Sequence, residues 1–476
     1  MKNNKLPVKI LALTLSAACL LTGCGPAAPV QTEVAPSAQA AAAVPTQQTA
    51  AAEATAPAAD PVITLVEARY PEMAPYPQFD PENPDNAEFE AASDKWYDSI
   101  AAQRREDGYA ASLTDFWSRI LPAWLSLRDG SNKVISPVNL YMALAMLAQV
   151  TGGDTRQQIF DLLGEESLDH LLQQVNDVWN AQYRNDGATT TVLANSLWLS
   201  RDLTYDQDTL TQVSESAMAS VYSGVPGSPA MDQAYRDWIN AQTDNLLSSQ
   251  TENLKLSPEL VLAIASTVNY RAKWMESFDQ SLTMDRVFYG DLEQEVPFLH
   301  KDGPMNFFEA DSFQSVSLPM GNGGGTLWLL KPREGLTPED LLAEEDTYEF
   351  LADPFDWEND RYLMVHFDMP KFDISAQLDL KDSLESLGIT DAFMPEKSDF
   401  TPLLREPLPV YLSQASHAVR FAADEEGITA ASYVEMQACG AGLVEEEADF
   451  LLDRPFLFVL QSPDRLPLFA GVVNQP

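Results

Sequence analysis

The chain has 476 residues and carries 71 acidic against 29 basic side chains, a formal net charge of −42 at pH 7. Such a balance excludes nucleic acid as a partner and excludes docking on anionic lipid headgroups, which would repel it. The four histidines, at 170, 300, 366 and 417, have no metal-ligand spacing, and neither a G-x-S-x-G elbow nor an H-E-x-x-H helix occurs; no metal, no cofactor and no enzymatic activity are expected.

Lys2, Lys5 and Lys9 precede an apolar run from Ile10 to Leu21. The run is too short for a permanent span and reads as a signal peptide over residues 1–23. Leu21-Thr22-Gly23-Cys24 resembles a bacterial lipobox, which implies cleavage before Cys24 and a diacylglyceryl group on its sulfur. Two acyl chains suffice for stable anchoring. The expected location is therefore the extracellular face of a bacterial cell membrane, with release as a variant; an ordinary secretory signal beside an incidental cysteine is the alternative. Residues 24–60 are Ala/Pro/Thr/Gln-rich, bury too little to offset their ordering entropy, and read as a flexible tether. From 61 to 108 lies an acidic, Pro-rich extension holding Tyr70, Tyr76 and Trp96, compatible with a packed element or with a longer stalk. Cys19 leaves with the signal and Cys24 is lipidated, so Cys439 alone remains and no intramolecular disulfide is expected.

Residues 109–476 carry the patterns of a large core. Ser112-Leu113-Thr114-Asp115 has the form of a capping box, opening a helix with Phe116, Ile120 and Trp124 on one face and a kink at Pro122. Ser136 caps the next helix, with Pro137 in its first turn; Leu140, Leu144 and Leu147 line its buried side, and Gly152-Gly153 stops it. Gly321 to Gly325 lacks a following Lys-Ser/Thr and sits between strand-like stretches, so it reads as a hairpin turn rather than a phosphate loop. Leu380, Leu384 and Leu387 form a helical stripe ended by Gly388. Leu363 to Met369, Phe456 to Leu460 and Leu468 to Val473 read as strands, the last two apolar on both faces. Helices early and strands late give an α+β fold.

Between the last two groups of strands the chain carries two patterns at once. Glu425-Glu426-Gly427 is an acidic turn with a glycine joint. From Ile428 onward, Ile428, Ala430, Ser432, Val434, Met436 and Ala438 share a face without an ionisable group, while Thr429, Ala431, Tyr433, Glu435 and Gln437 share the other. That is a strand with one buried side, yet it runs into Cys439-Gly440-Ala441-Gly442, which reads as exposed loop. A segment suited to both states is a switch candidate.

The Glu-Glu-Gly hinge followed by small residues, and the endings Asp453-Arg454-Pro455-Phe456-Leu457-Phe458 and Leu468 to Pro476, resemble the serpin family. Further matches in consistent order are Asn132 to Pro137, Asn195 to Trp198, Phe278-Asp279, Lys371-Phe372 and Leu387 to Phe393, so the resemblance covers roughly Ala110 to Pro476. It implies one domain in which helices pack on three mainly antiparallel sheets with an exposed reactive-centre loop. It also implies suicide inhibition of a serine protease: the protease attacks the loop, an acyl-enzyme forms, and the freed hinge inserts as a new strand before water completes hydrolysis. The partner is then the covalently held protease, and the inhibitor itself a monomer.

On the family's register the hinge is Glu425, Glu426, Gly427, Ile428, Thr429, Ala430, Ala431 and Ser432, and the reactive bond is Ala441-Gly442. Cys439, Gly440 and Leu443 occupy neighbouring subsites, and the bonds at Gly440 and Leu443 stay open as alternatives. A small residue at the cleaved position resembles inhibitors of elastase-like proteases; no Lys or Arg lies between Gly427 and Asp453, which disfavours trypsin-like ones. The polar cluster that controls sheet opening falls on Ser136, Asn139, Ser266 and His417, and the tryptophan near the loop's base on Trp274. Two other readings stand: a non-inhibitory serpin acting as a binding module, since Ile428 replaces the usual threonine and Tyr433 is bulky, and a solute-binding lipoprotein, which leaves the ordered motifs unexplained.

Overall fold

A computed structural model of the chain describes residues 61–78, 87–106, 108–406, 408–428 and 446–476. The signal peptide, the tether with Cys24, and the loop positions Thr429, Ala430, Ala431, Ser432, Cys439, Gly440, Ala441, Gly442 and Leu443 lie outside the described residues.

Ahead of the core, helix α1 (Ala87–Ala101) buries Trp96. Helix α2 (Thr114–Leu125) buries Phe116, Ile120 and Trp124 and continues through Pro122. The expected capping box does not start it. A 3-10 turn, Ala111–Leu113, leads in, and the Thr114 N–H donates to Ala111, so Leu113 stands at the N-cap without a side-chain bond. Such a turn satisfies amides that a serine cap would otherwise serve. Helix α3 (Pro137–Val150) does begin as the sequence indicates, with the Ser136 hydroxyl accepting from the Asn139 N–H and Pro137 at the first helical position. Nearly every residue of α3 is buried, which makes it a central helix rather than a surface one with a single apolar stripe. Gly152 then caps α4 (Gly153–Leu163), and Gly153 takes a φ of +51° that other residues resist. Helices α5 (Leu168–Gln182), α6 (Gln207–Ala217) and α7 (Pro229–Gln242) follow.

Two sheets pack with these helices. The first runs in the order β1 (Ile63–Val66), β5 (Ala219–Gly224), β4 (Thr190–Ser200), β6 (Leu262–Lys273), β14 (Gly427–Ile428), β13 (Ser416–Ala423), β12 (Phe372–Asp379), with β3 (Arg184–Asn185) added to β4. Among the described residues of this sheet, only β4 and β5 pair in parallel. Strand β4 is buried along almost its whole length, consistent with a sheet covered on both faces. The second runs β15 (Glu447–Leu451), β11 (Asp360–Pro370), β8 (Glu293–Glu309), β9 (Phe313–Pro319), β10 (Thr326–Pro332), β16 (Phe456–Gln461), β17 (Pro467–Val473), β2 (Lys133–Ile135), with β7 (Met284–Tyr289) on β8. The fold is α+β as expected, but the described strands form two ladders where three sheets were expected, because the long β8 joins strands at both of its ends into one. The 17-residue β8 pairs with β7 and β11 and, at its far end, with β9. Strands β16 and β17 are buried at every position. Gly321 to Gly325 forms the hairpin turn between β9 and β10.

The extension packs on this core instead of lengthening the stalk. Strand β1 pairs antiparallel with β5, so it adds an edge to the first sheet. The Tyr70 ring lies 5.3 Å from Trp179 and 5.7 Å from Tyr183. Aromatic contacts at these separations add to area burial.

Candidate functional site

The hinge begins where β13 reverses into β14. The Asp424 carboxylate accepts from the Glu426 and Gly427 amides at 2.9 and 3.2 Å, and the Asp424 N–H donates to the Gly427 carbonyl at 3.1 Å. An aspartate that bonds its own backbone two residues on is a local turn device. Trp274, just past the end of β6, covers that turn: its indole N–H donates to the Asp424 carbonyl at 2.7 Å, and its amide donates to the Glu426 carbonyl at 3.1 Å.

Glu425 projects from the turn into two donors. Lys371 Nζ reaches one oxygen at 2.7 Å and the Thr283 hydroxyl the other at 3.0 Å. Burial pushes the Glu425 carboxyl up, but the hydrogen bonds from Lys371, the backbone and Thr283 outweigh it and hold the group below its usual range. Gly427 sits against β6 so closely that a Cβ would stand 2.3 Å from the Ala272 carbonyl oxygen. Ile428 pairs with Ala272 on one side and Ala423 on the other and is buried.

Beyond Ile428 the first sheet has a distinctive interior. Among the described residues, only Gly427 and Ile428 stand between β6 and β13, and no pairing joins those two strands directly. The chain's other anchor is intact: β15 lies parallel on β11, Glu447 opposite Met364 and Leu451 opposite Asp368.

The polar cluster lies under this position. His417, on β13, is buried, and its Nε2 accepts from the Ser136 N–H at 3.1 Å, so its proton resides on Nδ1. Burial pushes its pKa down to about 4, and the ring is neutral at pH 7. The Ser136 hydroxyl donates to the Leu468 carbonyl at 2.7 Å and accepts from the Asn139 N–H at 3.4 Å. The structure thus links Ser136, Asn139 and His417. Ser266 is not bonded to them: it stands on β6 opposite Asn195, with its hydroxyl buried and unpartnered, as are the Asn139 and Asn195 amide oxygens. A cavity of about 20 Å³ is lined by Ser136 and Asn139 together with Thr267, Val419 and Phe469.

Sequence reasoning passed over Thr283, Asp424 and the pairing role of Lys371. A lone Lys after Pro370 carries no local sign that it meets Glu425, 54 residues on. Among the described residues no group of three or more His, Cys, Asp or Glu is placed to hold a metal, and no helix is long and apolar enough to cross a membrane.

Helices packed with two mainly antiparallel sheets, and a hinge seated between β6 and β13 of the first, define the class of fold. The family model described as "Serpin (serine protease inhibitor)" matches residues 111–476, and the chain belongs to that family. Plasminogen activator inhibitor 1 of Sus scrofa is 25% identical over 393 residues, covering 79% of this chain and 95% of its own. Antithrombin-III of Homo sapiens is 27% identical over 368 residues, covering 74% and 78%. Among solved structures, the native-state thermophilic serpin tengpin superposes with a TM-score of 0.69 at 22% identity, covering 78% of this chain and 95% of its own. Human thyroxine-binding globulin gives 0.67 at 20% identity, covering 77% and 98%. At these identities the solved structures speak for the fold alone.

Proposed function

We propose that this chain is a cell-surface suicide inhibitor of serine proteases with an elastase-like preference. The observation that carries the reading is the seating of Gly427 and Ile428 between β6 and β13 while β15 remains on β11. Both flanks of the segment between them are paired, Gly427 and Ile428 in the first sheet and Glu447 to Leu451 in the second, which supports its reading as a reactive loop. The protease serine oxygen would attack the Ala441 carbonyl carbon, the Ala441–Gly442 bond would break, and the Gly442 amine would leave with the C-terminal fragment. Insertion of the freed hinge then carries the acyl-enzyme away before water cleaves the ester. The small residue at Ala441 and the lack of Lys or Arg from Ile428 to Leu452 favour a shallow primary pocket. Cys24, with two acyl chains, would anchor a monomeric inhibitor at the extracellular face of the membrane.

The test mixes the chain lacking its first 24 residues with an elastase and resolves the products on a denaturing gel and by mass spectrometry. The expected result is a band at the summed mass that survives denaturation, with a released peptide beginning at Gly442. Clean cleavage without a covalent band, by elastases and by a panel of other serine proteases, would refute inhibition.

A further inference from the structure

One rung of the first sheet runs from the extension to the far end of β6. Ile63 of β1 stands opposite Ser223 of β5, Ser223 opposite Leu199 of β4, and Leu199 opposite Leu262, the first residue of β6. The hinge rung, where Ile428 meets Ala272, lies about 33 Å further along β6 at about 3.3 Å per residue. The chain therefore enters the core at the end of the sheet opposite the hinge. Packing fixes that entry point. Val62 lies on the cluster of Trp198 and Met231, and a Cβ on Gly224 would fall 3.1 Å from a Val62 methyl. The Trp198 ring stacks on Tyr222, the partner of Thr64, with centroids 4.4 Å apart, and the Ala68 N–H donates to the Ser220 hydroxyl at 3.1 Å.

The same end of the sheet holds a cleft of about 110 Å³. Glu259 and Leu262 line it from the β6 side, and Val410 and Ser413 from the segment leading into β13. Both walls are held. The Tyr205 hydroxyl donates to the Val261 carbonyl, the Leu412 N–H to the Ala392 carbonyl and the Leu380 N–H to the Ala415 carbonyl, each at 2.8 Å. Two separate pairings point into this cleft. Ile428 stands opposite Ala272 on β6 and opposite Ala423 on β13, antiparallel to both. A strand continuing from Ile428 in those registers brings Ala438 between Leu262 and Ser413, and Ala441 between Glu259 and Val410. All four receiving residues line the one cleft. The Ala441 carbonyl, which would carry the protease as an ester, then lies about 10 Å beyond the rung of Ile63 and, four strand spacings over, about 20 Å across from it.

We infer that the end of the first sheet at which the membrane tether joins is also the end that receives the trapped protease, so that trapping draws the enzyme in between the inhibitor and the membrane. This rests on the suicide-inhibitor and anchoring reading above. The uncleaved loop leaves from the end farther from the anchor, open to passing proteases. After insertion the acylated protease sits against the tethered end, and space there becomes a requirement. A protease of about 230 residues is roughly 45 Å across. Residues 24–60 join the anchor to Pro61, and a chain of that length reaches about 120 Å at most. The wild-type tether clears the protease; one cut to a reach of about 40 Å does not.

The experiment places the full, lipid-bearing chain in vesicles of neutral phospholipid, as wild type and with residues 30–54 deleted, beside the same two chains without their first 24 residues in solution. A further anchored chain restores the deleted length with a Gly/Ser repeat. Anchoring is checked by flotation with the vesicles. Each chain is mixed with an elastase, and covalent complex is measured against cleaved inhibitor on a denaturing gel. In solution the two chains should match. On vesicles the shortened chain should lose complex several-fold in favour of cleaved inhibitor, and the Gly/Ser chain should recover it. Equal partition on vesicles would overturn the shared end, as would failure of the Gly/Ser chain to recover, which would tie the effect to the deleted sequence. A second measurement needs no membrane. In a Cys439→Ser background, energy transfer from a dye on the protease to one on Ile63→Cys should rise on trapping, while transfer to one on Met275→Cys, beside Trp274, should fall; both positions are exposed. No rise at position 63 would also overturn it. Absence of complex in solution would refute inhibition itself, and failure to float would refute the anchor; normal trapping and flotation with indifference to tether length would refute the shared end alone.

Discussion

Glu425 and Lys371 meet at 2.7 Å across the base of the loop, joining the β13–β14 turn to the residue that links β11 and β12. Their pairing fixes the direction in which the hinge leaves β13. The Glu425 side chain is 13% exposed and that of Lys371 33%, so the pair is neither a solvated surface bridge nor a dry one.

Lys371→Ala is therefore expected to lower stability by about 1 kcal/mol, the scale of a partly screened ionic hydrogen bond. It should also loosen the turn, so that the warmed protein accumulates oligomers or inserted monomer, read on a native gel. A variant that remained monomeric and inhibitory through the same warming would deny the pair any role in holding the hinge. Because the folded-state pKa of Glu425 is depressed, its contribution is present above the unfolded carboxylate value of about 4.3 and is lost as pH falls through the folded value.

Gly427→Ala places a methyl carbon 2.3 Å from the Ala272 carbonyl oxygen, against backbone that has no easy way to yield. Expelling β14 or shifting β6 follows, at a cost of roughly 1–3 kcal/mol. With the hinge no longer threaded, cleavage should outrun insertion. The ratio of covalent complex to cleaved inhibitor on a denaturing gel should fall several-fold; an unchanged ratio would show that seating at this position does not govern partition.

Part of this site could be read from the chain directly. The period of two from Ile428 onward gave the face without ionisable groups, and the described end of that run, Ile428, is buried between Ala272 and Ala423. Ser136 announced its helix because a cap is a local arrangement. What escaped sequence reading is whatever depends on register between distant strands. Ser266 faces Asn195 only because β4 and β6 pair as they do, and nothing in either segment alone reveals that its hydroxyl is left without a partner. Trp96 likewise sits in an acidic, Pro-rich stretch whose composition is as suitable for a stalk as for a docked helix; the buried Asp186 that receives it is 90 residues away.

Ile428→Glu tests the receiving position from the loop's side. The wild-type side chain is 2% exposed, and a carboxylate there has no cation among its strand partners Ala272 and Ala423. Burying an unpaired charge costs several kcal/mol. The substitution leaves the proposed Ala441–Gly442 bond unaltered, so the protease should cleave the variant at an undiminished rate and be released active. Persistence of a stable covalent complex would mean that insertion does not pass through this residue.

His417 gives the site a pH dependence of definite sign. The folded-state pKa is lowered to about 4 by burial, against about 6.5 in the unfolded chain. Between those values the unfolded state binds the extra proton, so stability is full above about 6.5 and declines as pH falls toward 4. A difference of this size corresponds to roughly 3 kcal/mol. Protonation also places a second donor at Nε2, facing the Ser136 N–H that it had accepted, which separates β13 from the start of α3. Mild acid should therefore loosen the sheet beneath the hinge and speed polymerisation or premature insertion. His417→Ala removes the titration and the acceptor together: it should show those faults already at pH 7, with a flatter urea-stability profile between pH 4 and 7. If the variant kept full inhibition and stayed monomeric on warming, the His417–Ser136 bond would be packing and not a control on sheet opening.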